Sequence, residues 1–494
     1  MKHFSLTALG FAAALSILSA CSFGPDGKPP MLPSVPHYGA NAQPVRTVTA
    51  EGVSQSFDTG AKPVPEWWKL YRSEPLNALV DEGLRNSPSL AATDKTLAAA
   101  REQLRAQVGS SMLPSVDLGG QAERERAIGV PNFGPPTVLY NVFVGQIRAQ
   151  YTFDLFGAAR LADRALAAQV DSQSWQFDAA RRALAANIVT GAIGAASLGA
   201  QIDTTERLIV LADEDARETQ RRYELGSASR SDVLNAQSSA AALAASLPGL
   251  RAQWLATRHA LAVMLGRTPD QAPPDLDLAS LTVPANVPVL VPSELLASRP
   301  DIQAADSLLK AAAAQVGVAT AQMFPSLTLS ASMGQAGFSW PTALSGAGAI
   351  WGIGASLSQP LFHGGALLAQ KRAAQASYEA AIAQYKQTVL TAFRNVADSL
   401  AALEQDNQAL NFADTASRTS MGAFTDSAAR ARLGAIAPSA ARESERQYRN
   451  ARLSAIRYES ARLSDTASLF QAMGSPNGGA ANLAATEKAA ATAK

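Results

Sequence analysis

The chain has 494 residues, a formal net charge of +1 at pH 7, 47% hydrophobic residues and 17% charged residues. So balanced a charge gives no electrostatic reason to expect nucleic acid as a partner. The length allows several ordinary domains or one elongated one, and abundant Ala, Ser and Gln fit long, closely packed helices, because Ala has high helix propensity and no bulk.

The first element is a targeting segment. Lys2 and His3 precede an apolar run from Phe4 to Leu18 that is too short to span a bilayer comfortably. Leu18-Ser19-Ala20-Cys21 resembles the lipobox of bacterial lipoproteins. That likeness makes residues 1–20 a signal peptide and Cys21 the lipidated first residue, and Ser22 resembles the residue found when such proteins are forwarded to the outer membrane. An ordinary secretory signal with a chance cysteine is the competing reading. Cys21 is the only cysteine, so no disulfide framework claims it. Residues 21–65, with Pro25, Pro29, Pro30, Pro33 and Pro36, read as an extended tether.

The body then repeats itself. Asn86-Ser87-Pro88-Ser89-Leu90 corresponds to Ser298-Arg299-Pro300-Asp301-Ile302, and Met112-Leu113-Pro114-Ser115-Val116 to Met323-Phe324-Pro325-Ser326-Leu327. Leu155-Phe156-Gly157 parallels Leu361-Phe362 with Gly364 and Gly365 just after, and Arg222 with Leu225-Gly226 parallels Arg430 with Leu433-Gly434. Matches in one order make a duplication, with repeats over 66–267 and 293–474. The Pro-rich stretch 268–292 reads as a surface linker and 475–494 as a disordered tail.

Each half shares one plan. A helix of about 35 residues is expected to run to Pro114 or Pro325 and stop there. Two strand-like segments follow, then helices over Ala158–Leu225 and Ala366–Leu433, each ~100 Å long at 1.5 Å per residue. A Gly-containing turn and another helix of about 35 residues close each half, with coiled-coil packing expected for helices this long. In the strands, Phe143, Ile147, Ala149, Tyr151 and Phe153 alternate with Gln146, Arg148, Gln150, Thr152 and Asp154. Leu327, Leu329, Ala331 and Met333 alternate with serines and Thr328, and Trp351, Ile353, Ala355 and Leu357 with glycines and serines. A period of two with one apolar face fits a half-buried soluble sheet or an outer-membrane strand. Four strands cannot close a barrel and open edges are not tolerated in lipid, so a barrel would have to be shared between copies. The apolar run Ala183–Ala200 is either a spanning helix or, given Asn187, Thr190, Gly191, Gly194 and Gly199, a close helix contact.

With these motifs the sequence resembles the TolC-like outer-membrane factors, in the lipoprotein branch with NodT-type efflux proteins. Matching residues are Trp67-Trp68, Tyr71, Pro75-Leu76, Phe153-Asp154-Leu155-Phe156-Gly157, Arg299-Pro300-Asp301-Ile302, Gln359-Pro360-Leu361-Phe362 and Arg222-Tyr223 through Ser231-Asp232-Val233-Leu234-Asn235-Ala236-Gln237. The resemblance implies a mainly α chain with a membrane β part. Three copies would share a twelve-stranded outer-membrane barrel, continued by a periplasmic helical tunnel. It implies a lipid-anchored exit duct of a Gram-negative efflux pump, docked to a periplasmic adaptor and an inner-membrane transporter. It also implies adaptor contact at the hairpin tips, here Arg222, Leu225, Gly226, Ser229, Arg430, Leu433 and Gly434, and a periplasmic gate at Asp232 and Glu443. The second repeat departs from the pattern, because Ala440 and Ala441 stand where Asp232 and Val233 stand in the first. Glu443 is then either a ring of charge or a helix-face carboxylate paired with Arg442 or Arg446. Arg222, Arg430 and Arg432 read as an adaptor contact, a latch between hairpins, or favourable charge at helix C-termini.

No metal, cofactor or catalytic motif is expected. His3, His37, His259 and His363 have no ligand spacing, and neither a nucleophile motif nor a phosphate loop is present. A duct for secreted polypeptides, a structural coiled-coil lipoprotein and a lipoprotein hydrolase are the competing functions.

Overall fold

The computed structural model describes residues 23–31, 37–38, 46–61, 64–128 and 135–474. Cys21, the signal peptide and the 475–494 tail lie outside the described residues. In chain order the elements are β1 (Ser56–Thr59), α1 (Glu74–Asn86), α2 (Pro88–Met112), β2 (Ser115–Ile128), β3 (Thr137–Phe153), α3 (Ala158–Glu224) and α4 (Arg230–Met264). They continue with β4 (Asn286–Val289), α5 (Pro292–Ser298), α6 (Pro300–Ala321), β5 (Ser326–Gly337), β6 (Ala349–Ser358), α7 (Ala366–Arg432) and α8 (Pro438–Met473). They form two compact units. A strand unit takes the described residues up to Met31 with Thr96–Gln173 and Ala304–Lys386, and a helical unit takes the described residues of Leu32–Lys95 with Ser174–Gln303 and Gln387–Lys494.

The two 67-residue helices α3 and α7 fall where expected. The helix before each strand pair does not run unbroken. It is split between Asn86 and Pro88, and again between Ser298 and Pro300. A residue preceding proline is pushed out of the α region, and Ser87 and Arg299 take extended angles (ψ 121° and 123°). Each break receives the end of a later helix. Gly266, with φ 77°, closes α4 against the Asn86 carbonyl, and Gly474, with φ 69°, closes α8 against that of Ser298. A Cβ built on either glycine would come within 2.7 Å of that carbonyl oxygen, so only glycine fits both the backbone angle and the contact. Ion pairs fasten both joints: Arg267 is bidentate on Glu82 (2.6 Å twice). Arg299 is bidentate on Asp301 (3.0 and 2.6 Å) and donates to the Ala472 carbonyl (2.7 Å). The Arg299-Pro300-Asp301 motif is thus a clamp on the end of α8.

A stretch expected to be an extended tether and one expected to be a surface linker are both folded into the helical unit. The supposed linker 268–292 contains β4, which pairs in parallel with β1 from the supposed tether. Phe57, Val287, Val289 and Leu290 are buried, and burial of that much apolar surface holds the two short strands in place. Buried Gln55 donates to the Pro284 carbonyl (3.2 Å) and to Thr466 (3.3 Å). Trp67 stacks on Phe470 at 5.4 Å, and the Tyr71 hydroxyl donates to the Leu463 carbonyl at 2.7 Å. In the strand unit, Phe23 lies against Phe324, ring centres 4.7 Å apart.

The apolar run in α3 makes a close helix contact. Ile188, Val189 and Ile193 are fully buried, and the open sides of Gly191 and Gly194 face Met264 and Thr257 of the helical unit. Small residues let the helices approach at those points.

Two carboxyls of the helical unit give it an unusual pH response. Burial and Asp465 push Asp406 up to about 7, and burial with Glu51 nearby pushes Glu459 up to about 7 against the opposing pull of Arg452 and Arg462. A raised carboxyl pKa means the fold holds that proton more tightly than the unfolded chain does. Stability therefore rises as pH falls from above 7 toward the ordinary carboxyl range, and the gain is complete below it. The thermal midpoint of the purified protein should be a few degrees higher at pH 5.5 than at pH 8, the shift that ~1 kcal/mol produces. Asp406→Asn with Glu459→Gln should flatten that dependence; a slope unchanged in the double variant would refute the assignment.

Candidate functional site

The sheet and the hairpin turns are the two places where the chain offers chemistry. The sheet has the order β2-β3-β5-β6 and is antiparallel throughout. Its register places Leu118, Ile147, Met333 and Trp351 in one row, and Val116, Ala149, Ala331 and Ile353 in the next. The opposite face carries Asp117, Arg148, Ser332 and Gly352, then Ser115, Gln150, Ser330 and Gly354. Among the described residues nothing covers these two apolar rows. Leu118, Ile147, Met333 and Trp351 are 82, 45, 66 and 80% exposed. A half-buried soluble sheet would cover such rows, so lipid is the environment that fits them. The polar face carries Asp117, Glu123 and Glu125 against Arg148, a net negative lining. β2 and β6 each have one neighbour only, leaving two unpaired edges among the described residues.

The turn between α3 and α4 is built by Gly226 (φ 74°), as a helix reversal requires a left-handed residue. Gly226 and Ser227 donate to the carbonyls of Tyr223 (2.9 Å) and Arg222 (2.7 Å). Ser229 then caps α4 in a reciprocal box: its hydroxyl accepts from the Asp232 amide (3.1 Å), and its own amide donates to the Asp232 carboxylate (2.9 Å). Those bonds, with Arg222 nearby, hold the Asp232 carboxyl below the usual range. The second turn repeats the backbone with different caps. Gly434 has φ 73°, Gly434 and Ala435 donate to the carbonyls of Ala431 (3.0 Å) and Arg430 (2.9 Å), and Pro438 opens α8 without a side-chain cap. Leu225 and Leu433, one on each turn, are both 84% exposed.

Glu443 accepts from Arg446 (2.8 and 2.5 Å) and from Gln447 (3.0 Å). Arg442 belongs elsewhere: it bonds Asp215 (2.7 Å) and Glu218 on α3. Arg430 lies 4.0 Å from Asp426, and Arg432 donates to the Ala428 carbonyl within its own helix. No sequence motif announces the ladder joining α3 to α8. Glu445, buried, takes Arg207 in a bidentate pair (2.8 and 2.7 Å) and Arg449 at 3.2 Å, and Gln201 accepts from Arg457 (3.0 Å). Arg207 above all holds the Glu445 carboxyl below its ordinary value. Repeating Arg and Glu on α8 were the only signal, and a single sequence does not assign partners more than 200 positions away.

A sheet with an uncovered apolar face, free edges and two long helical hairpins defines a subunit of an outer-membrane channel. The family profile described as "Outer membrane efflux protein" matches twice, over residues 79–267 and 291–475. The chain is 29% identical to nodulation protein T of Rhizobium leguminosarum bv. viciae over 398 residues, covering 79% of this chain and 77% of that one. It is 30% identical to the probable efflux pump outer membrane protein TtgC of Pseudomonas putida over 406 residues, covering 80% of each. Among solved structures it resembles the outer membrane protein VceC of Vibrio cholerae at 27% identity and a TM-score of 0.71, covering 84% of this chain and 99% of that one. The chain belongs to the outer membrane efflux protein family. Its place is the outer membrane, and its role is that of an efflux channel.

Proposed function

We propose that three copies of this chain form the exit duct of a tripartite pump for small toxic compounds, held by lipid on Cys21. A periplasmic adaptor would sit on the hairpin turns and an inner-membrane transporter would supply the energy. The uncovered apolar face bounded by the two unpaired edges of β2 and β6 carries the reading. Four strands cannot close alone, and three copies pairing β2 to β6 satisfy every edge. The polar face becomes the lumen, and its excess of carboxylates suits cationic cargo. Phe23, two positions after Cys21, is held against Phe324 beside the strands, so the acyl chains start close to the barrel.

Accumulation of a fluorescent efflux dye in cells lacking the gene, with and without restoration, tests the reading. Dye retained without the gene and cleared on restoration supports it. Unchanged accumulation in a strain with no second duct, together with a lost secreted polypeptide, would move the cargo to polypeptides.

Asp232 and Glu443 enter this proposal as the periplasmic narrowing. Asp232 is committed to the α4 cap and Glu443 shares its charge with Arg446, so the expected effect is modest. Glu443→Ala should lower the cation preference of single channels in planar bilayers by about two-fold, the scale of a partly screened charge. Unchanged selectivity and conductance would leave Glu443 as an ion pair on a helix face.

A further inference from the structure

The apolar face of the sheet carries two charged residues along the four described strands, and both sit near its far end. Register alternation puts Val116, Leu118, Gly120, Ala122, Arg124, Arg126 and Ile128 of β2 on that face and turns Glu123 and Glu125 to the other. On β3, β5 and β6 the same face holds no Asp, Glu, Lys or Arg. Arg124 and Arg126 are exposed, and neither makes an ion pair among the described residues. Tyr140 on the polar face takes Glu125 instead (3.0 Å). The strand that a neighbouring copy would lay against β2 is β6, which is uncharged throughout, as is the 338–348 segment before it.

Depth locates the pair. From Val116 to Arg126 is ten steps of about 3.3 Å, and a strand tilt of about 40° turns that into roughly 25 Å of height, the full thickness of an outer-membrane apolar band. Just below the arginines, Phe143 pairs with Ala122 and packs against Trp340 at 4.5 Å. Trp340 and Leu344 are exposed there. An aromatic next to the charged end of an apolar face is what the boundary between acyl chains and headgroups selects.

We propose that Arg124 and Arg126 form an anion-binding rim on the outside of the barrel that takes the phosphates of the phosphorylated glycolipid in the outer leaflet. This rests on the sheet lying in the membrane, and it adds a lipid ligand to the proposed duct. Guanidinium forks suit phosphate oxygens, and exposure beside the acyl chains gives them little else to bond. The rim would fix the height of the barrel in the bilayer and tie the edge strand to its lipid neighbours.

The test uses the full-length protein extracted from membranes in mild detergent. Glycolipid retained per chain is measured by mass spectrometry for wild type, Arg124→Gln/Arg126→Gln, Arg124→Lys/Arg126→Lys and the opposite-face variant Arg148→Gln. Retention should fall on the order of five-fold for each rim arginine removed. The lysine pair should keep most of it and Arg148→Gln all of it. Added diphosphorylated lipid A should raise the thermal midpoint of wild type but not of the glutamine pair, and its dephosphorylated form should raise neither. Equal retention in the glutamine pair, equal stabilisation by the dephosphorylated lipid, or displacement of the lipid by millimolar inorganic phosphate alone would overturn the rim. A protein recovered without detergent as a soluble species would overturn the membrane reading as well. Native mass spectrometry of each variant shows whether assembly is intact, and loss of lipid from an intact assembly is the result expected.

Discussion

Replacing Leu225 and Leu433 together by Asp should reduce efflux to the level of a strain lacking the gene, while the protein still reaches the outer membrane and assembles. Both leucines stand on glycine turns and are 84% exposed, so neither contributes to the fold of the described chain. In the proposed pump their apolar surface is offered to the adaptor, where burying a Leu side chain contributes about 1.5–3 kcal/mol. Two leucines in each of three copies multiply that into most of a docking free energy. A charged replacement both forfeits the burial and places a carboxylate in the contact. The turn itself is insensitive to the change, because its geometry comes from Gly226, Gly434 and the backbone bonds behind them. Dye efflux at wild-type rates in the double variant would remove both leucines from the docking surface.

Arg462→Ala should be among the most destabilising single changes in the helical unit. The side chain is 1% exposed and its two terminal nitrogens donate to the carbonyls of Ala50 and Val53 (3.1 and 3.3 Å). Burial draws its pKa down and Glu51 with Glu459 draws it back up. Removing the guanidinium leaves the Ala50 and Val53 carbonyls with only their mutual backbone bonds, takes a countercharge from Glu459 and opens a cavity beside α8. Losing a buried guanidinium with its charge-assisted bonds, and leaving its volume empty, typically costs about 3–5 kcal/mol. The thermal midpoint should drop by roughly 10 °C, and the segment around residues 46–59 should become the first site of limited proteolysis. Arg462→Lys should recover part of the loss, since one ammonium can serve one carbonyl but not the fork. An unchanged midpoint together with an unchanged cleavage pattern would show that the segment is held by other contacts.

What was legible in the sequence is what repeats or alternates. The bounds of α3 and α7 were readable because glycines punctuate both ends, at Gly157, Gly226, Gly364-Gly365 and Gly434. Three of the strands were readable because one apolar face persists from Phe143 to Leu357 in a period of two. The alternation alone left open whether protein or lipid covers that face; the folded chain leaves it uncovered, and the family match places it in the outer membrane. The break before Pro88 and Pro300 was missed because the helical pattern continues across it, although the pre-proline rule was available. The pairing of β1 with β4 carries no local signal. Its strands are four residues each and stand about 230 positions apart, so the tether and linker looked like spacers. The hairpin turns were readable residue by residue, whereas the roles of Arg442, Glu445 and Arg462 depend on partners that only the fold brings near.

The two unpaired edges have a genetic consequence. A barrel that closes only when every copy contributes is as sound as its weakest strand. A variant damaged along β2 or β6 but still able to pair on its other side will enter assemblies beside normal chains and spoil them. Expressed together with the intact gene, such an allele should sensitise cells to toxic compounds, whereas a deletion allele should be silent in the same background.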